Sequence, residues 1–231
     1  IASVKSTQQI TKAMKVVSAA KLRKAQQRIL QMRPYAAKLK DILGNLSGSV
    51  DGGGATVFFK ERPINKVLLV VVTSDRGLAG SFNSVVLKEA MRLIREDYAG
   101  KEVEVMAIGK KARDFFKKQI NKVVHEDVDI FSNLTYDASN ANALKVIEWF
   151  VNGTYDAVDL IYNKFKNAAV YISTTERILP ITSVDNASAV KSNNNYLFEP
   201  EEEEIVARLI PQSLQHIPTM FIVRTIGNLK F

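Results

Sequence analysis

The sequence predicts an α/β protein that combines a long N-terminal helix with a doubly wound domain. Residues 67–73, Val-Leu-Leu-Val-Val-Val-Thr, are continuously apolar and β-branched, as are strands buried on both faces of a parallel sheet. Strand-like and helix-like segments alternate after them, which is the pattern of doubly wound folds. Residues 1–46 have a helical apolar period and carry the net positive charge. The predicted fold is therefore a coiled-coil helix attached to a Rossmann-like α/β domain.

The N-terminal segment 1–46 is predicted to be a basic helix that needs a partner helix. It contains ten lysines and arginines and one acid, a charge of +9, so that the other 185 residues sum to −1 within a total of +8. Ile10, Met14 and Val17 are spaced by alternating steps of four and three residues, as in a coiled-coil seam. Further along the helix the seam consists of Ala25, Ile29, Met32, Ala36, Leu39 and Leu43.

The rest of the chain divides into a linker, a domain and a tail. Residues 47–66 begin with a Gly-rich run and are predicted to be a linker. Residues 67–215 form the predicted Rossmann-like domain, and the atypical tail 216–231 has no sustained helical period. After the strand 67–73, the predicted elements are helix 85–98, strand 103–108, helix 110–117, a strand near Val123, helix 138–151, strand 157–162, strand 168–175 and helix 201–209.

The strand predicted at 168–175 has too little chain before it for a crossover helix. We therefore expect it to pair antiparallel with its predecessor at a sheet edge. On helix 85–98 the residues expected to face inward are Val86, Ala90, Leu93 and Ile94.

Composition argues against several classes of site. The chain has no cysteine and two histidines, His125 and His216, so we expect no disulfide framework, thiolate catalysis or zinc centre. No apolar run approaches the roughly eighteen residues of a membrane-spanning helix, and no signal peptide is recognised. His125 is interpreted as a surface histidine and Trp149 as a core residue. We expect no catalytic residue, no cofactor and no metal.

The strongest candidate for a ligand site is the turn 73–83, Thr-Ser-Asp-Arg-Gly-Leu-Ala-Gly-Ser-Phe-Asn, because α/β folds bind ligands after a buried strand. A phosphate loop requires G-x-x-x-x-G-K-[ST] or G-x-G-x-x-G, and Gly77 and Gly80 fit neither spacing. The segment is therefore interpreted as a strand-to-helix turn, with Ser81 or Asn83 as a cap. The residues of this predicted structural turn are Asp75, Arg76, Gly77 and Gly80.

The charge of residues 1–46 is compatible with three partners: nucleic-acid phosphates, an anionic membrane, or an acidic protein. The segment has no Trp or Phe, which argues against a membrane, and no recognised nucleic-acid motif. A protein partner is the favoured interpretation. A basic-helix nucleic-acid-binding protein and a nucleotide-dependent α/β enzyme are the two alternatives.

Three separated segments resemble the gamma subunit of F-type ATP synthases. Residues 1–22, Ile-Ala-Ser-Val-Lys-Ser-Thr-Gln-Gln-Ile-Thr-Lys-Ala-Met-Lys-Val-Val-Ser-Ala-Ala-Lys-Leu, resemble the N-terminal helix of that family. Residues 73–80 resemble its Ser/Thr-Asp-Arg-Gly-Leu-x-Gly motif, and residues 196–200, Tyr-Leu-Phe-Glu-Pro, resemble the segment before its C-terminal helix. The similarity extends from Ile1 to about Gln215.

The resemblance implies a non-catalytic rotor shaft, with an N-terminal and a longer C-terminal helix wound together inside a hexameric head. The implied partners are the alpha and beta subunits, the epsilon subunit and the membrane ring of c subunits, with no nucleic acid and no membrane insertion. The implied location is the cytoplasmic face of a bacterial plasma membrane, with the mitochondrial inner membrane as the alternative. The implied interface residues are Lys12, Met14, Lys15 and Lys21 toward the head, and Tyr196, Phe198 and Glu199 toward the ring.

The two ends of the chain depart from the family pattern. The first residue is Ile1, so we expect the family's helix to begin further upstream. Family members continue beyond the segment matching residues 210–215 into a long helix, whereas residues 216–231 contain Pro218 and Gly227. We therefore expect the seam of residues 1–46 to lack its usual partner helix in this chain.

Overall fold

The computed structural model describes residues 2–17, 19–20, 23, 27, 57–77, 80–119, 122–128, 130, 136–166 and 170–181. Residues 2–17 form helix α1. The elements that follow are β1 (Lys66–Val72), α2 (Phe82–Arg95), β2 (Glu102–Ile108), α3 (Lys110–Phe116), β3 (Lys122–Asp127), α4 (Tyr136–Val151), β4 (Ala157–Phe165) and β5 (Tyr171–Leu179). This alternation confirms the α/β class.

The five strands form one sheet in the order β3-β2-β1-β4-β5. The first four are parallel to one another, and β5 is antiparallel to β4. The prediction that the last strand pairs antiparallel with its predecessor at an edge is therefore confirmed. β1 lies at the centre, and its residues 67–72 are at most 5% exposed. The continuous apolar run is explained by this position, because both faces of a central strand are covered.

Helices cover both faces of the sheet. On one face, α2 and α3 pack against Val67, Leu69 and Val71 of β1. On the opposite face, α4 packs against Leu68 and Val70 of the same strand. Successive side chains of a strand point to opposite faces, so one apolar strand supplies two cores. The helical side chains that complete the cores include Val86, Ala90, Leu93 and Phe116 on the first face and Val146 and Phe150 on the second.

Element boundaries differ from the prediction where an element continues through polar residues. β4 extends to Phe165 rather than residue 162, and β5 spans Tyr171–Leu179 rather than 168–175. The backbone ladder between them continues through polar pairs such as Asn163 opposite Ser173, which apolar periodicity does not reveal. Helix α2 begins at Phe82 and ends at Arg95, three residues earlier at each end than predicted.

The described part of the predicted linker, residues 57–66, packs on the domain. Phe58 is 8% exposed and stacks on Phe150 with ring centroids 6.5 Å apart. Its carbonyl accepts a hydrogen bond from the Ile181 amide at 2.7 Å. The buried core thus includes Phe58, which precedes the predicted start of the domain at residue 67. An aromatic side chain has a large apolar area, and Phe58 buries it on the α4 face of the sheet.

Several predictions concern residues outside the described ranges. These are most of the seam (Ala25, Ile29, Met32, Ala36, Leu39 and Leu43), the Gly-rich part of the linker, the helix 201–209 and the tail 216–231.

Candidate functional site

The turn after β1 is held together by its own polar groups. The Asn83 side chain accepts a hydrogen bond from the Ser74 amide and donates one to Ser74 Oγ, each at 2.9 Å. Ser74 Oγ donates to the Arg76 carbonyl at 2.7 Å. Ser74 is fully buried, and these bonds satisfy polar groups that have lost contact with water. Asn83 therefore closes the turn, while the predicted alternative cap, Ser81, makes no capping bond and contacts the Tyr171 hydroxyl.

The same turn also supplies acceptors to the start of α3. The first N–H groups of a helix have no intrahelical partner, and phosphate-binding sites use such groups. Gly109 occupies the N-cap position of α3 and has no side chain to offer. Oxygens of the turn serve as the acceptors instead. Asp75 Oδ1 accepts a hydrogen bond from the Lys110 amide at 2.9 Å, and the Ser74 carbonyl accepts one from the Lys111 amide at 3.2 Å. Thr73 Oγ1 accepts a third from the Ala112 amide at 2.8 Å.

The two glycines of the turn have different roles. Gly80 has a φ of +59°, a conformation that residues with a Cβ rarely adopt. Apart from the glycine itself and its two neighbours in the chain, no atom of the described residues lies within 4 Å of the position that its Cβ would take. A Cβ on Gly77 would lie 3.7 Å from the Lys111 side chain, which is ordinary contact. The backbone therefore requires glycine at position 80 and tolerates a side chain at position 77.

Helix α1 carries the described members of the predicted partner interface. Every residue of 2–17 is exposed, including Lys12, Met14 and Lys15. The large apolar side chains of Val4, Ile10, Met14 and Val17 are 54% to 71% exposed. Within the described part of the chain, no helix has the length and apolar character needed to cross a bilayer. The other predicted interface residues, Lys21, Tyr196, Phe198 and Glu199, lie outside the described residues.

A buried carboxylate on the α4 face of the sheet was not predicted from the sequence. Glu104 of β2 is 4% exposed and accepts hydrogen bonds from the Tyr155 hydroxyl at 2.6 Å and from Lys122 Nζ at 2.9 Å. Lys66 Nζ lies 3.4 Å from the same carboxylate. Burial alone would raise the pKa of Glu104, but the hydroxyl and the two ammonium groups hold it below its usual value. Burial and this carboxylate together raise the pKa of Tyr155.

A second buried carboxylate lies on the opposite face. Asp159 of β4 is 3% exposed and accepts hydrogen bonds from the Tyr98 hydroxyl and from Arg177 Nε. Arg177 also donates to the Tyr98 oxygen at 2.7 Å. Burial, followed by the Asp159 carboxylate, raises the pKa of Tyr98 to about 12. Each cluster joins an edge strand to the strand beside it. The available signal was a single acid inside an apolar strand, as in Val103-Glu104-Val105 and Val158-Asp159-Leu160.

His125 belongs to a side-chain network between β3 and α4. The Asn142 amide nitrogen donates to Asp127 Oδ2 at 2.6 Å, which directs Asn142 Oδ1 toward His125 Nε2 at 3.0 Å. The imidazole is therefore the donor in that bond. Trp149 packs edge-on against His125, with ring centroids 6.3 Å apart. The sequence predicted a core residue here, and the side chain is partly buried and packs against the core.

Comparison with known proteins agrees with this architecture. The ATP synthase family model matches residues 1–222. The chain is 50% identical over 216 residues to the ATP synthase gamma chain of Flavobacterium psychrophilum, covering 93% of this chain and 74% of that protein. It is 47% identical over 222 residues to the gamma chain of Cytophaga hutchinsonii, covering 93% and 75%.

Solved structures share the fold at lower sequence identity. The central stalk and c-ring structure of the Tetrahymena thermophila mitochondrial ATP synthase superimposes with a TM-score of 0.65 at 22% identity, covering 94% of this chain and 93% of that one. The rotor of the Euglena gracilis mitochondrial enzyme gives a TM-score of 0.53 at 16% identity, with coverages of 97% and 83%. The family match over residues 1–222 and the identity to bacterial gamma chains lead to one conclusion: the chain belongs to the ATP synthase gamma chain family.

Proposed function

We propose that the chain is a central-stalk rotor of an F-type ATP synthase. It couples rotation of a membrane ring of c subunits to conformational change at the catalytic sites of the alpha and beta subunits. Helix α1 is the observation that carries this proposal, because it is basic and its apolar side chains are more than half exposed. Exposed apolar side chains concentrated on one element are characteristic of a surface that other chains cover.

The contacts with the head involve the described part of α1. Lys12, Met14 and Lys15, together with Lys21, face acidic loops of the catalytic subunits. The positive charge of this segment complements those loops and sets the orientation of the shaft against them. The exposure of Lys12, Met14 and Lys15 supports this assignment.

The remaining parts of the chain have distinct roles in this proposal. Residues 1–46 are a coiled-coil shaft helix, 47–66 a linker, 67–215 a Rossmann-like domain and 216–231 an atypical tail. Tyr196, Phe198 and Glu199 form the foot that meets the c-subunit ring, and the epsilon subunit is a further partner. The complex lies on the cytoplasmic face of a bacterial plasma membrane, and the bacterial origin of the gamma chains cited above supports this location.

The chain is a non-catalytic subunit in this proposal. Support comes from the turn 73–83, where nucleotide-binding α/β proteins hold phosphates. Its oxygens already accept hydrogen bonds from the first three amides of α3, so these amides serve the fold rather than a ligand.

Substitution of Met14 by lysine tests the rotor proposal in the assembled enzyme. A new charge confined beside charged loops changes the interaction energy by roughly 1–3 kcal/mol. We expect fewer protons pumped per ATP hydrolysed in membrane vesicles, with an unchanged melting temperature of the isolated chain. Met14→Leu keeps the volume and apolar character and is the matched control. Normal coupling in Met14→Lys, or a melting temperature lowered by about 10 °C, contradicts the assignment.

A further inference from the structure

Helices α2 and α3 enclose a groove on the outer surface of the domain, on the side away from the sheet. Its volume is about 550 Å³. Leu87, Met91 and Phe115 line its apolar part, and Met91 and Phe115 are only partly buried by their packing against the core. We name this feature the α2/α3 groove. It shares no described residue with α1, so it is separate from the surface on which the proposed rotor function rests.

Cations on α2 flank the apolar part of the groove. On α2, Lys88 and Arg95 stand three residues before and four residues after Met91. Residues at these spacings share one face of a helix. Met91 therefore lies between two positive side chains on one face of α2, and all three residues line the groove.

Lys88 and Arg95 have no salt-bridge partner among the described residues. Arg92, which also lines the groove, differs from them because it pairs with Glu89, Glu96 and Asp97. Its neighbours Lys88 and Arg95 are exposed at the rim. The groove thus offers positive charge that the described part of the chain does not neutralise.

We propose that the α2/α3 groove binds an acidic protein segment that carries an apolar side chain. The apolar side chain contacts Met91 and Phe115, and carboxylates of the segment pair with Lys88 and Arg95. An apolar anchor surrounded by complementary charge is the usual arrangement of a specific protein interface. Nucleic acid fits less well, because Glu96 lines the groove beside Arg95 and would repel a continuous row of phosphates.

The test uses the full chain labelled with ¹⁵N and two synthetic peptides. The first peptide is glutamate-rich with one central phenylalanine, and the second has alanine at that position. We expect the first to shift the amide resonances of residues 84–96 and 111–118, and to bind at least about tenfold more tightly than the second. Equal binding of both peptides, no binding, or shifts confined to α1 would overturn the proposal.

Charge-reversal variants complete the experiment. The double variant Lys88→Glu, Arg95→Glu changes exposed side chains, so it should keep the melting temperature and lose at least about tenfold in affinity for the phenylalanine peptide. Lys101→Glu is the matched control, since Lys101 is exposed and lies outside the groove. An equal loss in the control would show a non-specific charge effect and overturn the proposal. A DNA duplex that binds the chain as tightly as the phenylalanine peptide and depends equally on Lys88 and Arg95 would also overturn it.

Discussion

Asp75 shows how one side chain links two elements that are distant in sequence. Its carboxylate accepts from the Lys110 amide at 2.9 Å, across 35 positions of the chain. Gly109 cannot perform this function at the N-cap of α3, and a carboxylate at a helix N-terminus also interacts favourably with the helix dipole. The acid of the turn therefore contributes to the docking of α3 on the end of β1.

Replacement of Asp75 by alanine removes this acceptor and leaves the Lys110 amide without it. We expect a loss of about 1 kcal/mol in the free energy of unfolding, the usual cost of a lost helix cap. Asp75→Asn keeps an acceptor oxygen and should lose less. Urea denaturation of the full chain measures both values, and equal stability of Asp75→Ala and the parent chain would contradict the capping role.

The two glycines of the turn form a matched pair for a second prediction. Gly80→Ala places a Cβ on a backbone with a φ of +59°, and we expect it to cost about 1 kcal/mol of stability or more. Gly77→Ala meets only ordinary contact with Lys111 and should change stability by less than about 0.5 kcal/mol. Thermal unfolding of both variants measures the difference. The reverse order of stabilities would show that the space at Gly77, and not the backbone of Gly80, limits the turn.

At the scale of elements, each of the two edge strands is attached by an ion cluster that is built on a buried carboxylate of the neighbouring strand. Lys122 joins β3 to Glu104 of β2, and Arg177 joins β5 to Asp159 of β4. A tyrosine hydroxyl completes each cluster from outside the sheet. A buried carboxylate without such partners is costly, so each cluster ties the register of an edge strand to that of its neighbour.

The Glu104 cluster makes stability depend on acid pH. The pKa of Glu104 is lower in the folded chain than its usual value of about 4.3. Its contribution is therefore complete above that value and is lost as the pH falls through the lower, folded value. We expect Glu104→Gln to be less stable than the parent near pH 7 and to lose less stability as the pH is lowered below about 4.

Urea denaturation at a series of pH values between about 3 and 7 measures this effect. Glu61→Gln is a suitable control, because Glu61 is exposed and is not one of the residues that contact Glu104. The free energy of unfolding of Glu61→Gln should depend on pH in the same way as that of the parent chain. If Glu104→Gln also ran parallel to the parent over the whole range, Glu104 would not contribute to the acid response.

At the scale of the whole molecule, the domain and α1 differ in how much tertiary packing stabilises them. Residues 67–72 of β1 are covered on both faces and hydrogen-bonded to β2 and β4, whereas residues 2–17 are exposed throughout. Isolated helices are only marginally stable in water without tertiary packing. The stability of the domain and that of α1 should therefore be separable.

Hydrogen exchange of the isolated chain at low concentration measures this separation. The amides of β1 should exchange at the rate of global unfolding, and those of residues 2–17 much faster. Raising the protein concentration tests for association through the seam, which would protect α1 without changing β1. Strong protection of residues 2–17 in a monomer would show that α1 is already covered and would contradict the predicted need for a partner helix.

The sequence by itself determined the features that depend on neighbouring residues. The run 67–73 identified the central strand, the short connection before β5 identified an antiparallel edge, and the spacing of Gly77 and Gly80 separated this turn from phosphate loops. The three family-like segments identified the family. These features are local because side-chain period, loop length and motif spacing are written over a few consecutive positions.

Only the tertiary structure decided which distant groups meet. Asp75 lies 35 positions from its partner amide, Glu104 lies 51 positions from Tyr155, and the α2/α3 groove requires Met91 and Phe115 to be brought side by side. The sequence showed the acidic residues, but no periodic pattern in it indicated which residues they contact. Such pairings depend on the order of the strands in the sheet and on which faces of the helices and strands become buried. A pattern over a few neighbouring residues does not determine either of these.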